Sequence, residues 1–153
     1  MVLNLNSKTK LQLLCQTGVG SMALKVRVGI VGMGQGGTTL YKTLRKIDNI
    51  EIIVVCDRAD KNPGLKMARQ DGVATCLTLE AFLNVPNLDV IIETTGSPYV
   101  QEELERKKTK SSALIGAQGA NLMMCIIKEN EKLANFKHLK GELDTILNSV
   151  QEA

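Results

Sequence analysis

The sequence predicts an α/β fold: a doubly wound parallel sheet of about five strands, in the order 3-2-1-4-5, with a long C-terminal helix. Three observations carry this expectation. Apolar runs of strand length alternate with segments of helical period, the pattern of βαβ units around a parallel sheet. Only 3% of residues are aromatic, so the core falls to Ile, Leu, Val and Met, which disfavours an all-β sandwich. With 153 residues, 44% hydrophobic and 23% charged, the composition is that of one globular domain able to bury a core without disulfides or metals.

The first strand is VRVGIVG, Val26–Gly32, and the second IEIIVVCD, Ile50–Asp57. VATCL (Val73–Leu77) is a weaker third, DVIIETTG (Asp89–Gly96) the fourth and SALIGA (Ser112–Ala117) the fifth. A helix over Gln35–Ile47 places Leu40, Leu44 and Ile47 on one stripe, and DNIE breaks it. NPGLKMARQDG reads as a loop or short helix start, with Pro63 near N1 and Gly72 as a stop. TLEAFLN is a brief helix capped by Thr78 and ended by Pro86. In SPYVQEELERKK, Ser97 is the N-cap, Pro98 sits at N1, and acids precede bases as the helix dipole favours.

Residues 1–22 read as a flexible leader, 23–130 as the folded nucleotide-binding-type domain, and 131–153 as a helical linker or signalling helix. From Asn121 to Val150 the helical period runs beyond the length that covers a sheet. Ile126, Leu133 and Leu147 share one heptad position and Phe136, Leu143 and Val150 the other, interrupted by Glu129 and Lys140. Two arrangements fit: a sheet-covering helix followed by a second short helix near Gly141, or one output helix that pairs with a partner chain, a homodimer included.

A net charge of +3 and a single dense basic run, Arg106–Lys110, do not make a nucleic-acid face, which needs a broader basic surface with stacking aromatics. ALIGAQGANLMMCII, starting at Ala113, contains Gln118 and Asn121 and is too short to span a bilayer. Cys15, Cys56, Cys76 and Cys125 form no CxxC pair and have only His138 for company, so neither a zinc site nor a disulfide framework is expected. Free thiols suit a reducing cytoplasm.

The chemistry concentrates at RVGIVGMGQGGTTL. A buried strand delivers the chain to Gly32, and Gly32-Met33-Gly34-Gln35-Gly36-Gly37 opens a helix with GxGxxG spacing. In that motif the first glycine makes the tight turn, the second lets the backbone approach a pyrophosphate, and the third packs helix on strand; the helix N-terminus offers free N–H donors. Asp57 ends the second strand twenty residues beyond Gly37, where a dinucleotide fold places the acid that binds the adenosine ribose. Its charge repels a 2′-phosphate, so NAD is expected over NADP, with Arg58 next door softening the preference.

Two further strand-end loops face the same edge. In ETTGSP, Thr94, Thr95, Gly96 and Ser97 are candidates for the nicotinamide half, and Glu93 at the strand end is the one candidate acid or base. In GAQGAN, Gln118, Gly119 and Asn121 could close the far wall. Ser97 and Asn121 read equally as helix caps, and Cys56 as a small core residue rather than a redox switch.

At VRVGIVGMGQGG, Asp57 and LDVIIETTGSP the chain resembles the NAD-binding domains of the homoserine dehydrogenase, dihydrodipicolinate reductase, aspartate dehydrogenase and glucose-fructose oxidoreductase-like families, over Lys25 to about Asn130. The resemblance implies NAD(P) held by Gly32, Gly34, Gly37 and Asp57, with Thr95, Gly96 and Ser97 bordering the nicotinamide. Those families continue into a substrate domain. This sequence runs instead into KENEKLANFKHLKGELDTILNSVQEA, similar to the signalling helix that precedes a PAS domain in bacterial sensor kinases and transcription activators. The resulting expectation is an NAD(H)-binding sensory module, more a regulator than an enzyme, with downstream PAS or effector domains. The alternatives are the nucleotide-binding part of an NAD(P)-dependent oxidoreductase, or a module of the same shape that binds another small ligand.

Overall fold

The computed structural model describes residues 24–151. The leader expected over residues 1–22 lies outside them. Five strands, β1 (Val26–Val31), β2 (Ile50–Cys56), β3 (Ala74–Cys76), β4 (Val90–Glu93) and β5 (Ala113–Ile115), alternate with five helices. These are α1 (Gln35–Leu44), α2 (Pro63–Gln70), α3 (Leu79–Leu83), α4 (Pro98–Lys107) and α5 (Ala117–Gln151). The strands form one parallel sheet in the order β3-β2-β1-β4-β5, as expected.

Both faces of the sheet are covered, which is why its strands read as continuous apolar runs. Successive residues point to opposite faces: Ile30 and Ile92 join Leu40, Tyr41, Leu44 and Leu65 on one side, while Val31 and Ile91 join Val54, Phe82 and Leu104 on the other. Gly29 makes the second face possible. A Cβ there would stand 2.6 Å from the Phe82 ring, so the missing side chain lets that ring, carried by α3, lie directly on β1. Complete burial of Phe82 contributes about 1.5–3 kcal/mol.

The helix ends differ from the sequence expectation where local hydrogen bonding decides. α1 stops at Leu44 rather than Ile47, because the amides of Lys46 and Ile47 bond back three residues to Thr43 and Leu44 and tighten the chain out of the α-helix. Ile47 is accordingly exposed. Pro63–Gln70 is a full two-turn helix, begun by the Asn62 side chain accepting from the Gly64 amide at 2.8 Å. Thr78 caps α3 by accepting from the Ala81 amide at 3.2 Å. Ser97 occupies the N-cap position of α4 but makes no side-chain capping bond.

One polar cluster ties α1 to the end of α2. The buried Tyr41 hydroxyl donates to Asp71 at 2.7 Å, Arg45 pairs with the same carboxylate, and the Arg45 guanidinium lies 5.7 Å from the Tyr41 ring centre. Burial, then the bond to Asp71, pushes the Tyr41 pKa up to about 12 from 10.0. A raised tyrosine pKa means that the stabilisation is fully present below the unfolded value and is lost as pH rises through the folded one. Unfolding monitored by circular dichroism should show a loss of about 2–3 kcal/mol between pH 10 and 12. Tyr41→Phe should abolish that slope, and a slope that survives the substitution belongs to another group. Asp71, held below the usual carboxylate range first by the Tyr41 bond, works oppositely: its contribution is present above its unfolded pKa and fades in acid below about pH 4.

α5 is one helix of 35 residues, continuous through Gly141, so the two-helix arrangement is not adopted. Ala120, Met123, Met124 and Ile127 form an i, i+3, i+4, i+7 stripe packed against the face that holds α1. Beyond Ile127 the helix leaves the sheet, and Leu133, Phe136, Leu143, Leu147 and Val150 stand more than half exposed. No helix among the described residues is long and apolar enough to cross a membrane.

Candidate functional site

The glycine turn joins β1 to α1 at the carboxyl edge of the sheet. Gly32 has φ +96, and its amide donates to the Cys56 carbonyl at 2.8 Å. The Thr94 hydroxyl lies 2.7 Å from the Gly32 carbonyl and 3.1 Å from that of Val31, pinning the end of β1 to the end of β4. Gly37 is where α1 crosses this turn: a Cβ there would sit 1.9 Å from the Gly32 carbonyl oxygen. Gly34 and Gly36 differ, since a Cβ on either meets nothing within 4 Å. Gly34 takes the N-cap position without a capping side chain, and no acid occupies the first turn. The first-turn amides and the positive end of the helix dipole therefore lie beside open space.

Asp57, one residue past β2, reaches across to this turn. Its Oδ2 accepts from the Met33 amide at 2.8 Å and from Asn62 Nδ2 at 3.1 Å, and its Oδ1 accepts from the Ala59 amide at 2.9 Å. The acid expected to meet a ribose thus also fixes the second residue of the glycine motif. A carboxylate offers about four acceptor directions, so three bonds leave room for a hydroxyl donor. Met33 itself is buried beneath the turn and enters only through its backbone.

ETTGSP is organised from within. Glu93 is fully buried, and its Oε1 accepts from the Thr95 amide at 2.6 Å, the Gly96 amide at 3.1 Å and the Thr95 hydroxyl. The Ser97 amide then donates to Thr95 Oγ1 at 3.0 Å, while Gly96 makes the bend with φ +69. The other oxygen of Glu93, Oε2, has no hydrogen-bond partner among the described residues, and Glu93 does not line the neighbouring cleft. The strand-end acid singled out for proton transfer shapes its own loop instead.

These elements border a cleft of about 600 Å³, within the size range of small-molecule sites. Gly32, Gly34, Asp57, Arg58, Thr94, Thr95 and Ser97 line it. Gln35, Gly36, Gly37 and Gly96 lie in the adjoining turns, and Gln118 is exposed in the first turn of α5, apart from the lining. The structure adds to the cleft Leu77, Thr78 and Leu79 after β3, of which Thr78 was expected only as a helix cap, Tyr99 and Val100 at the start of α4, and Cys56, expected only as a small core residue. The signal for the first three was the strand order itself, because β3 lies beside β2 and its loop must flank Asp57. Among the described residues no His, Cys, Asp or Glu cluster suited to a metal ion is present.

No protein-family model matches the chain. It is similar to the acetaldehyde dehydrogenase of Desulfitobacterium hafniense, 33% identical over 73 residues that cover 46% of this chain and 25% of that enzyme. It is also similar to the acetaldehyde dehydrogenase of Geobacillus genomosp. 3, 29% identical over 120 residues, 71% of this chain and 40% of the relative. The chain thus spans between a quarter and two fifths of the length of these curated relatives. Among solved structures, the WlbA dehydrogenase from Chromobacterium violaceum, in complex with NADH and UDP-GlcNAcA, superposes with a TM-score of 0.52 at 25% identity, over 62% of this chain and 28% of that one. The fold is the Rossmann type of NAD(P)-dependent dehydrogenases.

This overturns the sensory reading. The matched relatives are acetaldehyde dehydrogenases and the structural neighbours include dehydrogenases, with nothing that points to signal transduction, transcription regulation or a PAS-linked helix. The physical reason for the error lies in α5. Ala120, Met123, Met124 and Ile127 pack on the sheet, whereas the heptad positions Ile126, Leu133, Phe136, Leu143, Leu147 and Val150 are exposed; such spacing names no partner, and the signalling-helix likeness rested on a short, degenerate phrase.

Proposed function

We propose that the chain is the dinucleotide-binding unit of an NAD-dependent oxidoreductase. The observation that carries this is the Asp57 carboxylate bonded to the Met33 amide at 2.8 Å across the mouth of the glycine turn. It sets an acid and an uncapped helix N-terminus on two sides of one cleft. The space in front of Gly34 and Gly36 fits a pyrophosphate, which the first-turn amides would hold. Asp57 would take the ribose hydroxyls and disfavour a 2′-phosphate, with Arg58 beside it, while Thr95, packed against Gly32, and Ser97 line the same cleft. A bound nicotinamide would supply hydride-transfer chemistry, and the chain's own residues would hold and orient it. The curated relatives make a small aldehyde the first substrate to assay. Free thiols beside the site suit a reducing compartment such as the cytoplasm.

Melting measured with NAD, NADH, NADP and no ligand tests the reading. A dinucleotide at about a hundred times its Kd should stabilise the fold by about 2.7 kcal/mol, NAD(H) ahead of NADP. Melting that no dinucleotide moves would sink it. Within the same reading, the exposed stripe of Leu133, Phe136, Leu143, Leu147 and Val150 is the surface for a second copy of the chain. Sedimentation equilibrium should then show a dimer that Leu143→Glu dissociates, and a monomer at all concentrations removes this partner.

A further inference from the structure

The last register pair between β2 and β3 is Cys56 opposite Cys76. Neighbouring strands lie about 4.7–4.9 Å apart, and a disulfide joins Cα atoms about 4.4–6.8 Å apart, so paired positions are within bridging distance. Both side chains join one apolar cluster on the same face of the sheet, and both thiols are free. Cys56 lies on the cleft wall and is buried, whereas Cys76 is half-buried on the edge strand. Their main chains hold the two parts of the site: the Gly32 amide donates to the Cys56 carbonyl at 2.8 Å, and the Asp57 amide donates to the Cys76 carbonyl at 3.2 Å.

We propose that Cys56 and Cys76 are a thiol pair that closes reversibly to a disulfide and, in closing, weakens dinucleotide binding. The second half of this rests on the function proposed above. The oxidant is a low-molecular-weight disulfide of the glutathione class. The Cys76 thiolate attacks one sulfur of oxidised glutathione, whose S–S bond breaks and releases one glutathione thiolate. Cys56 then attacks Cys76 in the mixed disulfide and expels the second glutathione. Two protein thiols lose two electrons and two protons, and one glutathione disulfide becomes two thiols. Cys76 attacks first because it is the more accessible, and the neighbouring Cys56 holds its thiol below the usual range. The same closeness and burial push the Cys56 thiol up. The Cys56 thiol donates to the Thr78 carbonyl at 3.4 Å and the Cys76 thiol to the Val55 carbonyl at 3.7 Å, bonds that both give up on bridging.

Bridging draws the Cβ atoms to about 3.8 Å, closer than strand spacing provides, so the carbonyls that seat Gly32 and Asp57 must shift. NADH affinity should fall about tenfold, the effect of roughly one charge-assisted hydrogen bond.

The test uses the full chain carrying Cys15→Ser and Cys125→Ser, equilibrated in glutathione buffers, alkylated and mapped by peptide mass. A peptide cross-linked between Cys56 and Cys76, reversed by dithiothreitol, with weaker NADH binding by calorimetry in the oxidised form, is the expected result. Cys56→Ser should halt the reaction at a glutathione adduct on Cys76. Two thiols that stay free, or an adduct on Cys76 that persists with Cys56 present, would overturn the pair. A cross-link that leaves both NADH affinity and amide exchange at Gly32 and Asp57 unchanged would overturn the switch. If the reduced chain binds no NADH, the dinucleotide reading fails separately, and the mass map and amide exchange still decide the thiol pair and its coupling to the turn.

Discussion

Gly37→Ala is expected to cost about 3–5 kcal/mol and lower the melting temperature by about 10 °C or more. The added Cβ has no rotamer with which to escape, and its position lies 1.9 Å from the Gly32 carbonyl oxygen and 2.8 Å from Thr94 Oγ1. Relief requires α1 to lift from β1, which unpacks Leu40, Tyr41 and Leu44 from the core and breaks the Thr94 bonds that lock the turn. Gly34→Ala is the matched control, because its Cβ enters open space and its φ of −66 suits any residue. That variant should melt within about 1 kcal/mol of the parent yet bind NADH poorly, since on the function proposed above the methyl would stand where the pyrophosphate approaches. Thermal melts paired with NADH titrations separate the two roles. A Gly37→Ala protein that melts like the parent would show that the close crossing of helix and turn is not needed.

Asp57→Ala should weaken NAD binding by about ten- to a hundredfold, the range for hydrogen bonds to a charged group, while NADP loses less because a repulsive charge also disappears. Three structural donors, the amides of Met33 and Ala59 and the Asn62 side chain, lose their acceptor as well, so some loss of stability accompanies the change. Asp57→Asn resolves the ambiguity by keeping an oxygen acceptor without the charge. Calorimetric titration of both variants with NAD and NADP gives the answer. Equal losses for the two cofactors would make Asp57 a brace for the glycine turn rather than a ribose ligand.

The sheet was legible because parallel strands covered on both faces must be apolar at nearly every position, as Ile30 and Val31 show by entering opposite clusters. The glycine turn was legible for a related reason: Gly32 and Gly37 stand where a side chain would require the wrong φ or a collision. Side-chain direction at strand ends was not. Glu93 looked like a group facing a ligand until the 94–97 turn, bent at Gly96, wrapped its amides around Oε1. Leu77 to Leu79 and Tyr99 escaped notice because their place at the cleft depends on strand neighbours far away in sequence. Gly141 misled in the other direction. A glycine in a helix interior costs only about 1 kcal/mol against alanine, too little to break a helix whose other residues favour continuation.

α5 also changes in local stability along its length. Residues 128–151 carry the helix about 36 Å past its last packed turn. Their amides hold only the hydrogen bonds of their own helix, with no core contact to add to them, so hydrogen exchange should quicken from Ile127 towards Gln151.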